Sequence, residues 1–151
     1  MHTVMVLNGP NLSRLGSREP EIYGTWDASA LQEAVDGWAS AQGLQVRWLQ
    51  SDDEAELVRW LHQAADEGID VIINPAAFTH YSYALRDAAT QVTDAGARLI
   101  EVHLSNPAAR ESFRHTSVVA GVASGTIAGF GADSYRLALH ALRREVNKPY
   151  A

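Results

Sequence analysis

Short runs of aliphatic and β-branched residues recur along this chain. Between them lie stretches whose apolar side chains return every three or four positions, and this alternation constrains the fold more than any other feature. Thr3 to Leu7, Leu44 to Leu49, Ile69 to Ile73 and Arg98 to Leu104 predict strands. A fifth lies within Val118 to Phe130, its bounds blurred by Gly121, Gly125 and Gly129. Leu31, Val35, Trp38 and Ala39 follow helical spacing, as do Leu57, Trp60, Leu61 and Ala64. Further helices fit Tyr83 to Ala95 and Ser134 to Val146. Ser51 with Glu54 predicts a capping box for the second helix, and Gly43 and Gly68 stand where helices should stop. Trp38, Trp48 and Trp60 read as core residues.

The order β-α-β-α-β-α-β-β-α predicts an α/β fold, a parallel sheet with helices on both faces. Five strands at this length predict the flavodoxin-like doubly wound form. No repeat, low-complexity segment or linker interrupts the chain, so residues 1–151 read as one domain. Ligands of such sheets bind beyond the carboxyl ends of the strands, which directs attention to the residues that follow each one.

Several function classes fall away on composition. There is no cysteine, which removes disulfides, cysteine zinc sites, iron–sulfur clusters and thiol nucleophiles. Twelve basic against 18 acidic side chains give a net charge of −6, the wrong sign for a general nucleic-acid binder. The single lysine, Lys148, sits near the end of the chain, a poor place for a Schiff base, and neither a P-loop nor G-x-G-x-x-G is present. No H-E-x-x-H or other metal-ligand spacing occurs, and G-x-S-x-G is missing. No apolar run approaches the length of a membrane span, and the start lacks the charged and hydrophobic regions of a signal peptide, so a cytoplasmic protein is the expectation.

The strand ends carry the chemistry. After the first strand, Asn8 to Gly24 is far longer than the usual connection of such a sheet. It reads either as a surface loop or as a lid hinged at Gly16 and Gly24 that brings Arg18 and Tyr23 to a site. After the third strand, Asn74 and His80 can bind a ligand, or Asn74 and Thr79 can simply cap backbone. On the fourth, period two puts Glu101 and His103 on one face, a pair that suits a general acid with a fixed tautomer or a buried structural hydrogen bond. Ser105 and Asn106 follow as donors, and Arg110 and Arg114 read as anion ligands or as a solvated turn paired with Glu111. This inventory suits a small polyhydroxylated anion handled by tyrosine and histidine acid–base chemistry, without a cofactor.

Four ordered blocks then resemble type II 3-dehydroquinate dehydratase (type II dehydroquinase). They are Asn8-Gly9-Pro10-Asn11-Leu12 with Arg18-Glu19-Pro20 and Tyr23-Gly24; Asn74-Pro75 with Thr79-His80, Ser82 and Ala84 to Ala88; Glu101 to Asn106 with Ala109 to His115; and Gly125, Ile127, Gly129, Gly131 and Tyr135. The resemblance implies trans elimination of water from 3-dehydroquinate to 3-dehydroshikimate through an enolate, in the shikimate route or in quinate breakdown. It implies no metal or organic cofactor and a homo-oligomer, a dodecamer of trimers. By family role, Tyr23 is the base, Arg18 lowers its pKa, Asn11 holds the water at the enolate oxygen, and His103 is the acid, oriented by Glu101. Asn74, His80, Leu104, Ser105 and Arg114 map to substrate binding, with Asp87 reaching a neighbouring subunit's site. Ser13, Ala76, Thr116 and Val118 depart from the family pattern, and Ala76, where glycine is usual, should crowd the backbone between Asn74 and His80. The rival readings are a related acid–base lyase or isomerase on another cyclic hydroxy acid, and a non-catalytic flavodoxin-like binding module.

Overall fold

The computed structural model describes residues 1–17, 19–23 and 26–143, with the side chains of Pro20 and Tyr23 left aside. Five parallel strands form one sheet in the order β2-β1-β3-β4-β5: β1 (His2–Asn8), β2 (Leu44–Gln50), β3 (Asp70–Asn74), β4 (Leu99–His103) and β5 (Gly125–Ala128). This is the flavodoxin-like order, which reverses direction between β1 and β3. The predicted strands agree with the observed ones to within a residue or two. β5 is four residues long at the sheet edge, the end of the region that the glycines left unbounded.

Alternate strand residues point to opposite faces and split the core in two. Val4, Val6, Ile72, Ile100 and Val102 pack under α2 (Ala28–Ala41) and α5 (Asp133–Leu142), whereas Met5, Leu7, Val71, Ile73 and Leu99 pack under α3 (Glu54–Glu67) and α4 (Tyr83–Asp94). Burying each of these aliphatic side chains contributes about 1.5–3 kcal/mol. The three tryptophans are half-buried and pack against the two clusters as expected.

The helices begin where local chemistry satisfies their first N–H groups. Asp27 accepts from Ala30 N, and Ser82 Oγ from Leu85 N. At α3 the predicted capping box gives way to a different arrangement. Asp53 is the cap and accepts from Ala55 N, while Ser51 Oγ accepts from Asp53 N one step earlier. Aspartate, two residues closer to the helix, outcompetes the serine for the free amides. Gly68 ends α3 with φ 66°, as predicted. The last helix stops at Leu142, short of the predicted Val146, and residues 144–151 lie outside the described part of the chain.

The long connection after β1 holds a 3-10 turn at Leu12–Arg14 and a short helix, α1 (Pro20–Tyr23). It is tied to the carboxyl end of β3 by Gly9 N donating to Asn74 O at 2.8 Å. A side chain at Gly9 would put its Cβ 2.7 Å from the Pro75 carbonyl oxygen, so glycine is required for this approach. Ala76 has φ 52°, the left-handed region that disfavours any residue with a Cβ. Ala76→Gly should therefore raise stability by roughly 0.5–1 kcal/mol, the relief of strain exceeding the added unfolded-state entropy. Thermal melts of the two proteins check this, and a lower Tm for the glycine variant would show that Ala76 is unstrained.

Candidate active site

Beyond the carboxyl ends of β1, β3 and β4 lies a cavity at the point where strand order reverses. Asn11, Leu12 and Leu15 line it from the β1 connection, and Asn74, Ala76 and His80 from the β3 end. His103, Leu104 and Ser105 close the β4 side, with Arg110 and Arg114 from the turns that follow. The structure thus brings together seven of the eleven predicted site residues: Asn11, Asn74, His80, His103, Leu104, Ser105 and Arg114. Glu101 sits directly behind His103. Asp87 is exposed on α4 and does not line the cavity. Arg18 and the Tyr23 side chain lie outside the described residues. Their neighbours border the cavity: Glu19 Oε2 is 3.9 Å from Arg110 Nη2, and Ile22 lines an adjoining hollow with Leu104, Ser105 and Arg110.

The His103 ring donates from Nε2 to Glu101 Oε2 at 2.5 Å. A carboxylate on one nitrogen fixes the tautomer and leaves Nδ1 for a ligand. Glu101 is fully buried. Burial pushes its carboxyl up, but the hydrogen bond and charge of the His103 ring, with hydrogen bonds from Thr79 and Ser117, carry it below the ordinary carboxylate value. The fold thus holds Glu101 as the carboxylate, set against the His103 ring.

At the β3 end both the oxygen and the nitrogen of the Asn74 carboxamide are engaged. Oδ1 accepts from Ala76 N at 3.1 Å, and Nδ2 donates to Tyr135 OH at 3.1 Å, which leaves Nδ2 one further hydrogen for a ligand. Tyr135 OH in turn donates to Asn8 Oδ1 at 2.6 Å. Burial pushes this phenol up, so it stays neutral and serves as a fixed bridge between the ends of β1 and β3. His80 Nδ1 donates to the Thr116 carbonyl at 2.7 Å, which leaves Nε2 for a ligand.

Arg114 Nε donates to Glu111 Oε2 at 2.9 Å, and its guanidinium lies 4.7 Å from the Phe113 ring centroid. The local pairing foreseen for a solvated turn therefore exists, yet the same arginine faces the cavity. Arg110, which lay outside the predicted set, also lines it and donates from Nη1 to Ser105 Oγ at 3.2 Å. Two guanidiniums around one concavity favour an anionic ligand. Asn106 takes the other course and caps the turn at Pro107–Ala109 by accepting from Ala108 N. Among the described residues no group of three or more histidine or carboxylate side chains can hold a metal ion, and no helix is long and apolar enough to cross a membrane.

Comparison with known proteins agrees with this geometry. The model of the family described as "Dehydroquinase class II" matches residues 2–143. A 3-dehydroquinate dehydratase of Salinispora tropica is 55% identical over 139 residues, covering 92% of this chain and 95% of that one. One from Halalkalibacterium halodurans is 51% identical over 142 residues, covering 94% and 96%. The crystal structure of type II dehydroquinase from Propionibacterium acnes superposes with a TM-score of 0.92 at 48% identity, over 96% of this chain and 98% of that one.

Proposed function

We propose a division of labour among the residues of this cavity from one premise: the chain belongs to the class II dehydroquinase family. Its activity is that of a 3-dehydroquinate dehydratase, a hydro-lyase that converts 3-dehydroquinate to 3-dehydroshikimate. The observation that carries the assignment of roles is the buried Glu101–His103 pair opening onto a cavity ringed by Asn11, Asn74, His80, Arg110 and Arg114.

Tyr23, as its phenolate, removes the proton at C2, and Arg18 stabilises that phenolate. An enolate forms, and its oxygen is met by a water held by Asn11. His103 then gives a proton to the C1 hydroxyl, which leaves as water, while Glu101 balances the charge of the ring. The substrate carboxylate takes donors from Leu104, Ser105 and Arg114, and its ring hydroxyls are held by Asn74 and His80. Glu19 against Arg110, and Ile22 lining the hollow next to the cavity, support a part for this connection in the site.

The reading extends to a single-domain subunit of a cytoplasmic homo-oligomer, a dodecamer of trimers in which Asp87 completes a neighbour's site. Exposed rings at Tyr81, Tyr83, Phe113 and Phe130 support a surface that another copy covers. The steps use the protein's own side chains and one bound water. The test is a steady-state assay with purified protein and 3-dehydroquinate, following the ultraviolet absorbance of the conjugated enone product before and after chelator treatment. Equal rates are expected. A rate lost to the chelator and restored by a divalent cation would overturn the assignment of these roles.

A further inference from the structure

Behind His103, on the side away from the cavity, the Glu101 carboxylate is met by two hydroxyls. Thr79 Oγ1 donates to Oε2 at 2.7 Å, and Ser117 Oγ donates to Oε1 at 2.8 Å. We propose that Thr79 and Ser117 are positioning residues for the dehydration, their hydroxyls holding the Glu101 carboxylate so that its only partner for proton exchange is the His103 ring. This rests on His103 as the acid.

Proton counting carries the argument. A serine hydroxyl has one hydrogen and two lone pairs. Both acceptor sites of Ser117 Oγ are occupied, by Ala120 N at 2.9 Å and Val119 N at 3.2 Å. Its hydrogen must therefore point outward, to Glu101 or to Thr79 Oγ1, which lies 2.7 Å away. Thr79 can give no hydrogen to a serine already saturated with donors, so its own hydrogen goes to Glu101. Both hydroxyl protons are thus directed toward the carboxylate or along the path to it. A proton resting on Glu101 would find an acceptor only in His103 Nε2. Thr79 is 1% exposed, which keeps water from taking its place.

The backbone makes this orientation firm. Val118 N donates to Thr79 O at 2.7 Å, so the residues flanking the two hydroxyls are pinned to each other. Arg86 Nη1 donates to Val118 O at 2.7 Å, and His80 Nδ1 to Thr116 O at 2.7 Å. Residues 116–118 are therefore a strap held from α4 and from the turn after β3. Among the described residues, His103 is the charged or titratable group that bonds the carboxylate. Arg86 on α4 and His80 in the turn after β3 donate instead to the strap's carbonyls.

Thr79→Val keeps the side-chain shape and removes the hydroxyl, and Thr79→Ser returns it. A carboxylate that has lost a donor draws the His103 proton more strongly, so the basic-side limb of the kcat profile, which reports the acid, should move to higher pH in the valine variant. Its kcat should fall about 10–100-fold, with KM for 3-dehydroquinate within about threefold, because a proton donor has been misaligned while the substrate contacts remain. The serine variant should restore both kcat and the limb. A folded valine variant with the wild-type rate and profile would overturn the proposal. So would a loss that serine does not repair, or one that leaves the limb unmoved. If the valine variant does not fold, Ser117→Ala is read in the same way. Should His103→Asn itself retain wild-type turnover, it is the acid assignment that fails. Should only His103→Asn lose turnover, the positioning role fails alone.

Discussion

His103→Asn is expected to lower kcat for dehydration by about 10²–10⁴-fold, the range that a positioned general acid contributes. Asparagine is the informative substitution because its carboxamide can still donate to Glu101. Alanine would leave a buried carboxylate without its partner, and breaking a buried pair costs about 3–5 kcal/mol. With the carboxylate satisfied and the donors from Ser105, Arg110 and Arg114 intact, product affinity by calorimetry should stay close to that of the unsubstituted protein. A turnover number within tenfold of wild type would sink the acid assignment.

Tyr23→Phe should be equally severe and differ in kind. A free tyrosine titrates near ~10, so about one in a thousand is ionised at neutral pH, and the phenolate must be favoured by a neighbouring cation for useful rates. Phenylalanine cannot be ionised at all, and a loss of about 10²–10⁴-fold in kcat follows from deleting a general base. The enolate mechanism separates the two variants. Without the acid, Tyr23 still removes the C2 proton, so His103→Asn should continue to exchange that proton with deuterated solvent. Without the base, exchange and elimination should vanish together. Exchange that persists in Tyr23→Phe would move the base role to another residue.

Much of this molecule is legible in its sequence because the signals are local. Strand and helix follow from apolar period, and the location of the cavity follows from where a doubly wound sheet reverses. The pairing of Glu101 with His103 is legible for the same reason, since residues two apart on a strand share a face. What escapes is non-local. Thr79 reads as a backbone cap because nothing nearby announces a carboxylate 22 positions on, and Ser117 lies 16 residues past the group it serves. Arg110 stays divided between anion ligand and solvated turn, since spacing shows its local partner Glu111 and hides the strand end it folds against. At α3 the error was of another kind: two cap-capable residues stood in competition, and the residue nearer the helix won.

The bridge between the central strands has a consequence for how the enzyme comes into being. Tyr135 reaches Asn8 across 127 positions, one of the longest separations a chain of this size allows. Closing so large a loop is entropically unfavourable until most other contacts exist to reward it. Until α5 docks, Asn8 and Asn74 lack the hydroxyl that joins them. A nascent chain made as far as Arg114 carries all the polar side chains that line the cavity among the described residues, but not the crosspiece that sets the ends of β1 and β3 against each other. Catalytic competence is therefore a late event of folding, reached when almost the whole polypeptide has been made.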